Sequence, residues 1–487
     1  REVKKKGDTW YTFYAMDFMC QIDFFMKFLN HRVLYITGAT GQGKSTQVPK
    51  LTIYALKAFN YKNNGKAICT QPRIAPTVEN VKSISNSMGI PVETYNQKLG
   101  ENIRTLNGVI QYKYANDSHV DVNQNYFLRM VTDATLLNQM KESPTLKKLK
   151  KHNKESNNDP IITEENIYDV LMVDEAHEHN TNMDLILTIA RNSLLYNNDL
   201  KLLIISATMD DDEPIYRAYY KYIDDNLTFP INLSNLQNLR SMNFIDRRFH
   251  ISPPGKTTQF VVNDYFTDNS PDTYKDNEEL GIKKVIEIFN STTSGDILFF
   301  STTEKKILKI CDTLNKSIPP NCICLPYFAK LPNKFFEKVT NIASSIKNII
   351  IDKVDLVQVF TGNKKEELAL KVNKGTYERA VVIATSVAEA SLTIPSLRYV
   401  VDLGYQLTPE YDYVLKISKP EEIKITDASR MQRRGRVGRV AGGDVYYMYP
   451  KDSRKYVKGK FNISTANFSD NFLSLLALDE NNKIIDA

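Results

Sequence analysis

Residues 38–45 read Gly-Ala-Thr-Gly-Gln-Gly-Lys-Ser, directly after the apolar run Val33–Thr37 and directly before a helical pattern that runs from 46 towards 59. Strand, glycine loop and helix in that order leave the chain few options. The glycines let backbone N–H groups curl around an anion, and the helix start adds its own unpaired amides. Gly38, Thr40, Gly41 and Gly43 line such a loop, Lys44 reaches the β and γ phosphates of a nucleoside triphosphate, and Ser45 offers a hydroxyl to Mg²⁺. A ligand-free glycine turn is the plain alternative, and the flanking strand and helix argue against it.

A loop of this kind needs a sheet behind it. Apolar, β-branched runs recur at Val33–Thr37, 67–70, Val170–Val173, 202–206, 297–301, 380–385 and 399–402. Several are continuous rather than alternating, as expected for parallel strands covered on both faces. The reading is α/β, with strands and helices alternating along the chain. The 487 residues allow about three domains, and 42% hydrophobic with 25% charged residues excludes wholesale disorder.

No run approaches the roughly 18 apolar residues of a membrane span. The most apolar early stretch, 13–29, is interrupted by Asp17, Gln21, Asp23 and Lys27 and reads as an amphipathic helix. With no signal peptide, a soluble protein of a reducing, cytoplasmic compartment is expected. The five cysteines are scattered, and Cys322-x-Cys324 lacks the spacing of a zinc site, so buried or surface thiols are the reading. A net charge of +6 permits nucleic-acid binding without requiring it.

Two polar stretches, 147–160 (KKLKKHNKESNNDP) and 264–279, read as insertions or loops, and the lysines of the first as a solvated surface. Ser252-Pro-Pro-Gly255 reads as a linker between two α/β halves.

Three further motifs carry chemistry. Asp174 and Glu175 follow the run Val170–Val173 and lead to His177. A hard cation takes a carboxylate through its water shell, and hydrolysis needs another to orient and deprotonate water. Ser206-Ala-Thr208 follows a second apolar run. Residues 432–439, Gln-Arg-Arg-Gly-Arg-Val-Gly-Arg, read as arginine fingers for charge developing on the γ-phosphate. Their distance along the chain places them in the second α/β half.

In this order, GATGQGKS, DEAH, SAT and QRRGRVGR resemble motifs I, II, III and VI of a superfamily 2 DEAH/DExH-box helicase. Thr70-Gln71-Pro72-Arg73 resembles motif Ia, Thr132-Asp133 motif Ib, 295–300 motif IV and 384–394 motif V. DEAHEHNTNMD and QRRGRVGR are closer to viral members, the poxvirus-type nucleoside triphosphatase/RNA helicases in particular, so a large DNA virus is the expected source and host cytoplasm or virion the expected location.

The resemblance implies two tandem RecA-like domains with parallel sheets, at 31–254 and 255–455, after an N-terminal helical segment at 1–30. It implies ATP, with other NTPs accepted, and Mg²⁺ as cofactors. It also implies hydrolysis coupled to 3′→5′ movement on single-stranded RNA or a 3′-tailed duplex. Lys44, Ser45 and Asp174 would hold triphosphate and metal, and Glu175 would be the base. His177 would link the carboxylate motif to the second domain, and Ser206 and Thr208 would couple hydrolysis to motion. Gln432, Arg436 and Arg439 would complete the catalytic set, and Arg73, Thr132 and Thr385 would contact the RNA backbone. Such contacts carry little base preference, so DNA stays open as a partner.

Relatives continue into winged-helix, helical-bundle and OB-like domains. Residues 456–487 are expected to begin a truncated C-terminal domain, and an N-terminal Arg fits a fragment. Residues 340–362 read as an insertion. Two other functions stay open: an NTPase that remodels RNA–protein or DNA complexes without strand separation, and a non-enzymatic nucleic-acid-binding scaffold. The intact set of Lys44, Glu175 and arginines argues against the scaffold.

Overall fold

The structure is a computed structural model that describes residues 18–38, 43–58, 65–90, 94–96, 103–105, 109–114, 126–152, 161–207, 209–210, 212–225, 246–251, 260–268, 272–328, 331, 339, 342, 346, 354–361, 364–392, 394, 396–438, 440–455, 457, 463, 466–469, 472–473 and 475–476. It divides into two compact units, Arg1–Lys256 with Phe461–Ala487, and Thr257–Lys460. The division falls one residue after the Pro–Pro–Gly segment, which itself lies outside the described residues. Among the described residues, no helix is long and apolar enough to cross a membrane.

In the first unit, the strands are β1 (Val33–Thr37), β2 (Ala67–Gln71), β3 (Thr94–Asn96), β4 (Ile103–Thr105), β5 (Ile110–Lys113), β6 (Leu128–Thr132), β7 (Lys147–His152), β8 (Ile161–Asn166), β9 (Val170–Val173), β10 (Lys201–Ser206) and β11 (Arg248–His250). Seven form one sheet in the order β11-β1-β10-β9-β2-β6-β5, every pair parallel. Side chains alternate between its faces, as the period of two dictates. Leu34, Ile36, Cys69, Met172, Leu203 and Ile205 enter one core. Val33, Tyr35, Ile68, Leu171, Val173, Leu202 and Ile204 enter the other.

Helices α1 (Phe18–Asn30), α2 (Lys44–Ala58) and α3 (Ile74–Met88) supply the first core. The described part of the amphipathic stretch is α1, with Phe24 and Phe28 fully buried. Helices α4 (Asp133–Glu142), α5 (Thr181–Tyr196) and α6 (Glu213–Tyr219) supply the second. Ile463, Phe468 and Leu475 of the C-terminal segment also pack against that second core.

The second unit holds β12 (Val262–Phe266), β13 (Asp296–Phe300), β14 (Cys322–Tyr327), β15 (Val354–Thr361), β16 (Lys364–Leu370), β17 (Arg379–Ala384), β18 (Leu397–Asp402), β19 (Tyr405–Asp412), β20 (Ile417–Lys424) and β21 (Gly443–Tyr447). Six form a parallel sheet in the order β12-β21-β18-β13-β17-β14. Helices α7 (Tyr274–Ser291), α8 (Glu304–Ser317), α9 (Ala388–Ser391) and α10 (Asp427–Arg434) belong to this unit. Three of them start on a threonine whose hydroxyl accepts from an amide of the first turn: Thr273, Thr303 and Thr426.

Both polar stretches differ from their expectation. The lysine-rich start of 147–160 is strand β7, paired antiparallel with β8; 153–160 lie outside the described residues. Two of its lysines meet acidic residues of β8, with Lys148 opposite Glu165 and Lys147 Nζ 3.3 Å from Glu164. Opposite charges across a ladder favour pairing over a solvated loop. Of 264–279, the first residues belong to edge strand β12, whose outer side carries polar groups without penalty, and the last to α7. Within 340–362, Ile342 and Ile346 are buried in the second unit's core, and 354–361 forms a hairpin with Lys364–Leu370.

Candidate nucleotide-binding site

The sheet of the first unit is parallel, so the C-terminal ends of β1, β10, β9, β2 and β6 lie along one edge. In open α/β sheets that edge is where ligands bind. It gathers Gly38 after β1, Ser206 on β10, Asp174 and Glu175 after β9, Gln71 on β2 and Thr132 on β6. Polar residues end strands whose bodies are mostly apolar.

Lys44 opens α2 and is buried, and its ammonium donates to the Gly38 carbonyl over 2.7 Å. Burial lowers its pKa, while Glu175 and Asp174 oppose that shift. Gly43 precedes it at φ +80°, a left-handed turn that a side chain would strain. Thr40 and Gly41 lie outside the described residues.

Asp174 is fully buried. Its Oδ2 accepts from Gln71 Nε2 at 2.6 Å, and its Oδ1 from the Glu175 amide at 2.8 Å. The Ser45 hydroxyl also bonds to it; burial and the neighbouring Glu175 charge still push its pKa up to about 6. A hydroxyl and a crowded carboxylate are hard oxygen donors with negative charge left over. They fit Mg²⁺, which keeps several waters and takes only one or two protein ligands.

Glu175 adopts φ 56° and ψ 38°, and His179 closes the short 3₁₀ turn Ala176–Glu178 at φ 43°. Two non-glycine residues in left-handed backbone bracket the turn, a costly geometry that surrounding contacts must hold. The turn sets His177 Nδ1 3.6 Å from Glu175 Oε2 and 3.4 Å from Ser206 Oγ. Burial and the Lys44 charge depress the His177 pKa to about 4, so its ring is neutral near pH 7. Thr208 lies outside the described residues.

Two of the residues assigned to RNA, Arg73 and Thr132, are tied into the same edge. Arg73 Nη2 donates to Glu178 Oε2 at 3.3 Å. Thr132 shares a 2.9 Å hydroxyl contact with Thr135. Its neighbour Asp133 accepts from Asn180 Nδ2 at 2.7 Å. Gln71 and Asp133 fall in the stretches that resemble motifs Ia and Ib, and Asn180 in DEAHEHNTNMD, but sequence reasoning assigned none of the three a role of its own. A polar residue closing the apolar run 67–70 was the available signal for Gln71.

In the second unit, the arginines of 432–439 do different jobs. Arg433 is fully buried, with Nε on Glu389 Oε1 and Nη1 on Asp402 Oδ1, both at 2.7 Å, and Nη2 on the Tyr405 carbonyl. Arg434 donates to both oxygens of Asp264. These two are held by internal carboxylates, which corrects the reading of the whole run as arginine fingers. Arg436 is buried and donates to the backbone carbonyls of Leu392 and Glu389. Gln432 is half-buried on α10. The Thr385 amide donates to the Tyr327 carbonyl at 3.3 Å. Arg439 lies outside the described residues.

Comparison with known proteins agrees with these motifs. The pattern described as helicase conserved C-terminal domain matches residues 281–441. A protein of Acanthamoeba polyphaga mimivirus, named as a candidate ATP-dependent RNA helicase, is 44% identical over 98% of this chain, which spans 27% of that protein. ATP-dependent RNA helicase HrpA of Escherichia coli is 25% identical over 87% of this chain, which spans 25% of it. The crystal structure of Escherichia coli DEAH/RHA helicase HrpB matches with a TM-score of 0.62 at 20% identity, covering 94% of this chain and 46% of HrpB. That likeness, with the two parallel sheets, identifies the fold as tandem RecA-like domains. Residues 281–441 thus carry the helicase conserved C-terminal pattern, and over nearly its whole length the chain is similar to proteins named as ATP-dependent RNA helicases, of which it spans about a quarter.

Proposed function

We propose that this chain is the motor core of an ATP-dependent RNA helicase, in which Mg²⁺-dependent NTP hydrolysis drives 3′→5′ movement on single-stranded RNA and separates duplexes with a 3′ tail. The observation that carries the reading is the convergence of Lys44, Ser45, Asp174, Glu175, His177 and Ser206 on one sheet edge. The relatives named as ATP-dependent RNA helicases support it.

Lys44 exchanges the Gly38 carbonyl for the β and γ phosphates. Ser45 and Asp174 hold Mg²⁺, which when bound neutralises phosphate charge. Glu175 orients a water for in-line attack on the γ-phosphorus and accepts its proton as the bond to the leaving diphosphate breaks. His177 passes the change at Glu175 to Ser206 and the following Thr208. Gln432, Arg436 and Arg439 add positive and polar groups that stabilise charge developing in the transition state. Arg73, Thr132 and Thr385 hold the RNA backbone, so binding weakens steeply with salt and reads little sequence.

The test is steady-state hydrolysis with single-stranded RNA or DNA of matched sequence at fixed low salt, then strand separation on 3′- and 5′-tailed duplexes. Stimulation by RNA above DNA, with unwinding confined to 3′ tails, is expected. Equal stimulation by both, or preference for 5′ tails, would sink the RNA or polarity assignment.

A further inference from the structure

The 3₁₀ turn carrying Glu175 and His177 ends on a residue that the mechanism above leaves unused. His179 meets two carboxylates carried by other elements. Its Nε2 lies 3.1 Å from Asp212 Oδ2, and its Nδ1 lies 3.7 Å from Asp184 Oδ1. Asp184 sits in the first turn of α5, and Asp212 immediately precedes α6, in the segment that follows Ser206. The ring therefore touches the element after the acidic motif and the element after the Ser-Ala-Thr motif.

The turn has reason to need such a tie. Glu175 and His179 both hold left-handed backbone, so the turn carries a local energetic cost that its surroundings must offset. Asn180, next in sequence, caps α5 by accepting from the Met183 amide, and it donates to Asp133 beside Thr132. One stretch of two residues thus connects the acidic turn to motif Ib on one side and to the segment after motif III on the other.

The charged groups facing the ring are Asp184 from α5 and Asp212 before α6; His177 in the same turn senses its charge, and Tyr216 on α6 lies by the same two carboxylates. Burial disfavours the charged ring, but the two carboxylates outweigh it and raise its pKa to about 9. His177, two residues away and depressed to about 4, has the opposite charge state near neutrality.

We propose that His179 is a positioning residue that clamps the Glu175–His177 turn to the segment following Ser206, so that the two motifs move as one body during hydrolysis. The clamp rests on the motor reading above. It acts through Glu175 and His177 and touches neither nucleotide nor RNA.

The test uses the 487-residue chain with His179→Ala, His179→Arg, Asp212→Asn and the His179→Ala/Asp212→Asn pair. RNA-stimulated kcat and KM for ATP are measured from pH 6 to 10. His179→Ala is expected to lower kcat by about 10- to 100-fold with KM changed less than threefold, and Asp212→Asn adds little in the double variant, as for partners in one contact. His179→Arg, a permanent cation, restores kcat to within about threefold and lacks the alkaline fall near pH 9 that the wild type shows.

A His179→Ala enzyme within twofold of wild type, strictly additive losses, or no rescue by arginine would each overturn the clamp. Should the wild type show no RNA-stimulated hydrolysis, the motor reading fails by itself. Ring titration of His179 by NMR still decides the tie: a midpoint near 9 that drops towards 6.5 in Asp212→Asn supports it, and an unmoved midpoint refutes it.

Discussion

The Lys44 ammonium donates to the carbonyl of Gly38, the first residue of its own loop, over 2.7 Å. A buried cation is thus held at the loop's mouth by a neutral carbonyl together with the charges of Glu175 and Asp174. A triphosphate offers far stronger acceptors at the same place. Lys44→Ala is expected to lower kcat by on the order of 100-fold or more while leaving RNA affinity within about threefold. Steady-state hydrolysis and RNA titration by fluorescence anisotropy check this, and unchanged turnover would remove Lys44 from the site.

Ser45 and Asp174 form the oxygen pair that fits Mg²⁺. Ser45→Ala is expected to raise the Mg²⁺ concentration for half-maximal hydrolysis about 10-fold, with a smaller effect on KM for ATP at saturating metal. Thermal shift with Mg²⁺ and ATP analogue gives a readout independent of turnover. Equal metal dependence in variant and wild type would place the metal elsewhere.

Arg433 is buried between Glu389 and Asp402 and has no exposed surface. Removing it leaves two buried carboxylates without their cation. Arg433→Ala is expected to destabilise the second unit by about 3–5 kcal/mol. Urea unfolding measures the loss. A change below about 1 kcal/mol would mean that the carboxylates find other partners, and that Arg433 is free for another role.

His177 is buried neutral, with a folded pKa of about 4 against about 6.5 when unfolded. Between those values the unfolded chain binds the extra proton, so stability falls as pH drops from about 6.5 and levels off near 4, by up to about 3 kcal/mol. His177→Gln keeps a hydrogen-bonding side chain and removes the titration. Chemical denaturation from pH 4 to 8 should show a shallower acid loss in the variant than in the wild type. Parallel curves would exclude His177 as the source.

The sequence by itself determined the parts whose logic is local. Continuous apolar runs announce buried parallel strands, because each residue of such a run meets a core on one face or the other. The glycine loop, the Asp174–Glu175 pair and the Ser-Ala-Thr stretch are short motifs at strand ends, and they were legible in order along the chain. The packing of α1 against the sheet followed from its apolar period.

Tertiary structure decided whatever depends on a partner distant in sequence. The lysines at 147–151 are a strand because a strand bearing Glu164 and Glu165 lies opposite. Arg433 and Arg434 stand beside Arg436 in sequence, yet Glu389, Asp402 and Asp264 claim them, from 31 to 170 positions away. Gln71 reaches Asp174 across 103 positions, since β2 and β9 are neighbours in the sheet. His179 looks like a second histidine in a polar run until the fold brings Asp184 and Asp212 to its ring. A charge's role is set by which opposite charge it meets inside the protein, where desolvation makes that choice costly to leave unmade. Sequence spacing encodes the strands and loops that carry those charges, and only the folded chain pairs them.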